Sequence, residues 1–395
     1  MLYALMSPMR PSHWNRRRVM WLFGAAMLAS CGGGSDERKP PLPVGGGQVT
    51  VQTFATGLTN PWGMAFLPDG RLLVTERSGS LQLVSADGSS MSLVTVSLPG
   101  GLVTDGQGGL LGVALDPEFG SGQPWVYLSY SQPGAGGSGT AVMRGQLDVA
   151  NPSALTDPVQ LFQQLPKVSD SRHYGSRLVF GTDKRLFVTL GERHQFTPAQ
   201  DLSSHLGKVV RIERDGSIPL DNPTFGGTLH SPGIWTLGHR NPQGAALHPA
   251  TGQLWVGEHG PQGGDEINLA LAEGNFGWPN VSYGCLDGSN TTPCAIGGGT
   301  HAPTFTEPLT HWEPSIAPSG MSFYTGAMFP EWQGNLFVGA LAGSALWRLT
   351  VTGSAVTARE EIAGIDVRVR DVAQGPDGAI YFIDETNGRI MRITR

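Results

Sequence analysis

Five short segments of this chain carry the residue types from which a chemical site can be built. They are GQGGLLG (Gly106 to Gly112), SRHYGSRL (Ser171 to Leu178), GHRNPQG (Gly238 to Gly244), EHGPQGGDEIN (Glu258 to Asn268) and RVRDV (Arg368 to Val372). His173 offers an imidazole, the side chain whose neutral form accepts a proton near pH 7; read alone, a loop histidine serves equally well as a backbone-bonded structural group. Arg368 and Arg370 stand two apart, so on a strand both point to one face. That suits two cations gripping one anion, and it also suits a solvated strand edge. Gly260 and Pro261 form a tight segment of the kind that exposes backbone carbonyls, the ligands a hard cation such as calcium prefers. Gln107 alone is a turn residue, and Glu266 alone is an acid in an exposed turn.

These segments border a recurring frame. Six times a Pro/Gly-rich turn is followed by an alternating run of β-branched and aromatic residues, from NPWGMAFLPDGRLLVTERSGSLQLV at Asn60 to VRDVAQGPDGAIYFIDETNGRIMRI at Val369. Alternation such as Arg71 to Thr75 and Gln253 to Val256 predicts half-buried strands, with Pro-Asp-Gly as the turn between them. Helical periodicity is nearly absent. Repeats spaced roughly 45 to 80 residues apart, each too small to bury its own faces, are the pattern of an all-β β-propeller, and six copies predict six blades. The alternative, a β-sandwich, gives no reason for one turn-plus-strand unit to recur. A propeller gathers its loops at one mouth of a central channel, so chemistry is expected there.

The chain has 57 Gly, 29 Pro and 15% charged residues, which fits a turn-rich domain with a large apolar core. Residues 1–30 read as an export signal: Arg10, Arg16, Arg17 and Arg18 precede the apolar stretch Val19 to Leu28, too short for a permanent span. The stretch ends in Leu28-Ala29-Ser30-Cys31, which resembles a bacterial lipoprotein processing site with Cys31 as the lipidated residue. An ordinary cleavable signal is the alternative. Gly32, in place of Asp, favours the outer membrane over the inner one in that pattern, so the expected location is the periplasm, lipid-anchored. Residues 31–48, rich in Gly and Pro, read as a flexible tether, and 49–395 as the propeller domain. The signal holds four arginines and no acid, so the exported chain is more acidic than the formal −6 of the whole, and nucleic acid is excluded as a partner. Cys285 and Cys294, nine residues apart in an exported chain, predict a disulfide; no His or acidic cluster at ligand spacing accompanies them.

Taken together and in order, the five segments resemble the soluble quinoprotein sugar dehydrogenases that bind pyrroloquinoline quinone (PQQ) and calcium, the aldose sugar dehydrogenase branch above all. The similarity runs from about Thr53 to Ile393, and the pairing of GHRNPQG with EHGPQGGDEIN is its most specific part. The resemblance implies oxidation of an aldose at C1 to a lactone, with His173 as general base, Glu192 orienting it, and electrons passed through PQQ to an external acceptor. It implies cofactor contacts from Gln107, His173, Arg240, Asn241, Gln243, Arg368 and Arg370, with Arg240 stabilising charge on the quinone oxygen. It further implies one calcium on the Gly260 and Pro261 carbonyls, and a second on Glu266 and the Phe276 carbonyl. Glu258 and Asp265 receive no role.

The chain departs from the glucose-specific branch in two places. Gly339 to Gly343 stands where that branch has a lysine over the cofactor, and His259 replaces its glutamine before Gly-Pro. Both changes favour the broader aldose branch. Two other classes stay open at this point: a calcium-dependent lactonase on the same architecture, in which the arginines have no purpose, and a catalytically silent, lipid-tethered binding propeller. No glycine-rich phosphate loop opening a helix is present, which disfavours a nicotinamide enzyme.

Overall fold

The computed structural model describes residues 49–286, 288–289 and 294–395; the signal, the tether and Cys31 lie outside them. Six four-stranded antiparallel sheets form a ring of blades. Their innermost strands are Pro61–Phe66 (blade I), Leu110–Leu115 (II), Gly175–Phe180 (III), Asn241–Leu247 (IV), Pro318–Phe323 (V) and Val369–Gln374 (VI), each packed beside the next and the last beside the first. The N-terminal strand Thr50–Thr56 pairs with Arg389–Thr394, so blade VI takes its outermost strand from the other end of the chain and closes the ring.

In four blades the second strand, Leu72–Glu76, Leu186–Leu190, Leu336–Ala340 or Ile380–Asp384, is buried throughout, and in the other two it is buried along most of its length. Six apolar cores result, one between each pair of neighbouring blades. That between I and II holds Leu73, Leu83, Leu128 and Met143, and that between VI and I holds Met64, Val74, Tyr381 and Ile383. The Pro-Asp-Gly turns are as expected: the Gly70 N–H donates to the Leu67 carbonyl at 3.0 Å, with φ of 88° that a side chain would resist.

One feature recurs in all six innermost strands. The register to the second strand slips near the third residue, between Pro61/Gly63, Leu110/Val113, Gly175/Leu178, Pro242/Gly244, Pro318/Met321 and Val369/Val372. A β-bulge bends the strand and re-aims the side chains on it. In blades I, II and III a freed N–H is taken up by a hydroxyl of the second strand, which also reaches the next blade. Gly112 donates to Ser129 Oγ, which donates to the Ser176 carbonyl; Arg177 donates to Thr189 Oγ1, which donates to the Pro242 carbonyl. The bulges and stitches fix the ring where the channel mouth begins.

Candidate active site

The segments singled out from the sequence lie at the starts of innermost strands or the ends of second strands, which antiparallel pairing puts at one mouth. His173 precedes blade III's innermost strand with φ of 52°, and its N–H donates to Gln107 Oε1 at 2.8 Å. Its Nδ1 lies 2.6 Å from Glu192 Oε1, and both side chains are buried. The second Glu192 oxygen accepts the Phe196 N–H at 2.7 Å, so the carboxylate is fixed at both ends. A Cβ at Gly191 would fall 2.0 Å from the His173 carbonyl, which explains glycine before Glu192. Arg193 locks the same loop from beneath, donating to the carbonyls of Arg172 and Ser138 and lying 3.6 Å from the centre of the Tyr174 ring.

Burial holds the His173 imidazole below its ordinary pKa; Glu192 opposes this and nearby Arg240 assists it. The ring is therefore neutral near pH 7. With Nδ1–H given to the carboxylate, Nε2 presents a lone pair, which is the arrangement of a base with its orienting acid.

Blade IV supplies the next group. The Arg240 N–H donates to Glu258 Oε2 at 2.7 Å, and its Nη1 donates to the Gly260 carbonyl at 2.7 Å. Glu258 Oε1 accepts from His239 and Asn268, each at 2.8 Å. Asp265 accepts the N–H groups of Gly260, Ile316 and Ala317 and so shapes the loop at Gly260 and Pro261. Burial first, then Arg240, Arg370 and His173, push the His259 pKa far below its ordinary value. That mutual influence gathers side chains of blades III, IV and VI into one neighbourhood. Neutral His259 donates from Nε2 to the Pro318 carbonyl at 2.9 Å.

Asn241 Oδ1 accepts the Gly175 N–H at 3.3 Å, whereas its fully buried Nδ2 has no hydrogen-bond partner among the described residues. Gln243 Oε1 accepts from Arg370 Nη1 at 2.8 Å. Arg368 and Arg370 do reach one anion, and it is internal: both donate to Glu385, at 3.2 Å and 2.7 Å. Arg368 stands just before the strand Val369–Gln374 and is exposed, with Arg370 buried.

A small cavity beside this cluster has about 10 Å³ of space for water-sized bodies and is bordered by Arg240, Glu258, Gly260, Glu266, Phe276 and Trp278. That is room for a single water or ion. Burial, with Glu258 adding, raises the Glu266 pKa, so two carboxyl groups share a confined space. His301 Nε2 lies 3.3 Å from Glu266 Oε1. Among the described residues no three His, Cys, Asp or Glu side chains cluster as a metal site, so a cation here would lean on backbone carbonyls. The Cys285–Cys294 bridge is formed, and its loop is tied to the Gly260 turn: Gln262 and Cys285 exchange backbone hydrogen bonds at 2.9 Å.

Sequence reasoning missed several members. Glu385 follows a strand in IDETNG and carries no motif. An aromatic row runs from His173 through His194, Phe196 and Trp278, with successive ring centres 5.4, 5.1 and 5.4 Å apart, and Arg240 lies over Trp278 at 5.3 Å. Positive φ at Arg193, His194 and Phe196 builds this turn, and no residue type there announces it.

A carboxylate-held imidazole beside buried arginines at one mouth of the ring is the site of a propeller enzyme acting on a small molecule. The chain belongs to the glucose/sorbosone dehydrogenase family, whose model matches residues 58–392. It is 40% identical over 353 residues to the aldose sugar dehydrogenase of Escherichia coli, covering 88% of this chain and 93% of that one. It is 30% identical over 419 residues to quinoprotein glucose dehydrogenase B of Acinetobacter calcoaceticus, covering 86% of each. Among solved structures, the PQQ-bound aldose sugar dehydrogenase of Streptomyces coelicolor superposes with a TM-score of 0.71 at 29% identity, covering 88% of this chain and 98% of that one.

Proposed function

We propose that this protein oxidises aldose sugars at C1 to lactones, with PQQ and calcium as resident cofactors and an external acceptor for the electrons. The observation that carries the reading is the His173–Glu192 pair, its imidazole neutral and fixed, set among Arg240, Asn241, Gln243 and Arg370.

The residues present fit the cofactor. PQQ is a planar tricarboxylate, and the mouth offers donors and cations: the partnerless Asn241 Nδ2, Arg240, and the Arg368–Arg370 pair, whose charge exceeds that of the one carboxylate it holds. When bound, the quinone supplies a two-electron acceptor for a hydride. His173 Nε2 takes the proton of the C1 hydroxyl, so that the C1–H leaves as hydride and the C1–O bond becomes the lactone carbonyl. Glu192 keeps Nδ1 protonated and stabilises the imidazolium as it forms. Arg240, anchored on the Gly260 carbonyl, sets a fixed positive charge at the cofactor. The Gly260 and Pro261 carbonyls would hold one calcium, and Glu266 with the Phe276 carbonyl would hold a second at the small cavity.

The lactonase reading gives no reason for the excess of positive charge that Arg240, Arg368 and Arg370 bring to the mouth over the one carboxylate Glu385. Export and lipidation at Cys31, placing the domain in the periplasm on the outer membrane, complete the proposal, supported by the pattern of residues 10–34. The test is His173→Gln: PQQ binding stays within a few fold of the parent and turnover falls by at least about 10²-fold. Retained turnover overturns the assignment of the base.

A further inference from the structure

One buried guanidinium, that of Arg177, reaches across the channel just beneath this cluster. Arg177 lies on the bulge of blade III, and Asp371, on the bulge of blade VI, lies opposite in the ring of six. Their ion pair measures 2.9 Å from Nη1 to Oδ1, and both residues are buried. Arg177 Nε donates to the Gln243 carbonyl of blade IV at 3.0 Å, and its Cζ stands 4.4 Å from the centre of the Trp62 ring of blade I. Asp371 is itself held by the Met64 and Val372 N–H groups, at 2.9 and 3.0 Å. Four blades thus meet at one side chain.

What Arg177 holds is adjacent to the site. The Gln243 carbonyl belongs to the residue whose amide accepts from Arg370, and Asp371 follows Arg370 in the chain. We propose that Arg177 is a positioning residue of the cofactor site, setting the place and spacing of Gln243 and Arg370 while touching no ligand itself. The inference rests on the cofactor reading above. Stability alone does not explain the pair: burying two charges costs desolvation, and apolar side chains of the same volume serve a core as well or better. An apolar pair cannot supply directed bonds to a carbonyl on one blade and a carboxylate on another; a planar guanidinium can, and a lysine, with one point of charge, cannot do both.

The test is a PQQ titration by tryptophan fluorescence of the parent, Arg177→Lys, Arg370→Lys and the double variant, with the melting temperature of each protein without quinone. Arg177→Lys is expected to raise the Kd at least about tenfold well below its melting temperature. Because Arg177 acts through Arg370, the double variant is expected to bind within about twofold of Arg370→Lys. Should Arg177→Lys fail to fold, Arg177→Met with Asp371→Asn removes both charges together and is expected to fold and show the same loss of affinity. Unchanged affinity in a folded Arg177 variant, or effects of the two single changes that multiply, overturns the inference alone. A parent that binds no quinone overturns the cofactor reading, and this inference with it.

Discussion

In the proposed chemistry, one imidazole has two nitrogens with different tasks. Glu192 raises the His173 pKa, against burial and Arg240, which lower it with burial the stronger. Replacing Glu192 by Gln removes the raising influence, so the base titrates at lower pH. The acid limb of kcat/KM therefore moves to lower pH, while the plateau falls by on the order of 10²-fold because the imidazolium loses its counter-charge. A limb that stays in place or moves upward contradicts the assignment. Much at this scale was legible: His173, Arg240, Asn241 and Gln243 sit in segments whose residue types already mark them. Arg370 was legible and its partner was not: Glu385 stands just past the next strand of the same blade and meets the arginines through that hairpin, where Val369 lies opposite Asp384, and no residue type announces it. Gln107 was read as a cofactor contact; the structure commits its Oε1 to the His173 N–H.

At the scale of elements, the repeated bulge and, in blades I to III, its hydroxyl stitch hold the mouth in register. Thr189→Val keeps the shape of the side chain and leaves the buried Arg177 N–H and Pro242 carbonyl without their partner. Denaturant unfolding is expected to show a loss of about 1–3 kcal/mol at unchanged m-value; a loss below about 0.5 kcal/mol contradicts the stitch. The cavity at Glu266 makes a second prediction. Two buried carboxyl groups repel in the metal-free protein, so calcium is expected to raise the melting temperature of the parent and to leave that of Glu266→Gln nearly unmoved. A full rise in the variant removes Glu266 from the cation site. Inner hairpins were legible because their apolar alternation is dense. Outer strands were not: Leu155–Gln163 is largely exposed, and Thr310–Trp312 pairs with Asp265–Leu269 across a long excursion.

For the whole molecule, six repeats were enough to predict six blades, since each small sheet needs a neighbour on either side. Closure by Thr50–Thr56 was not legible, because a strand that completes a sheet from the far end of the chain looks like any other edge strand. Ring closure brings blade VI, with Arg370 and Asp371, against blade I, and so completes a mouth whose proposed base is on blade III and whose arginines are on IV and VI. The central claim, that this mouth is a quinone-dependent sugar oxidation site, is tested most directly by dye reduction with purified residues 32–395 and a panel of aldoses, with and without added PQQ and calcium. The account predicts no activity in the bare protein and activity with several aldoses once both are added. Protein that neither binds PQQ nor reduces dye with any aldose when both are supplied contradicts it.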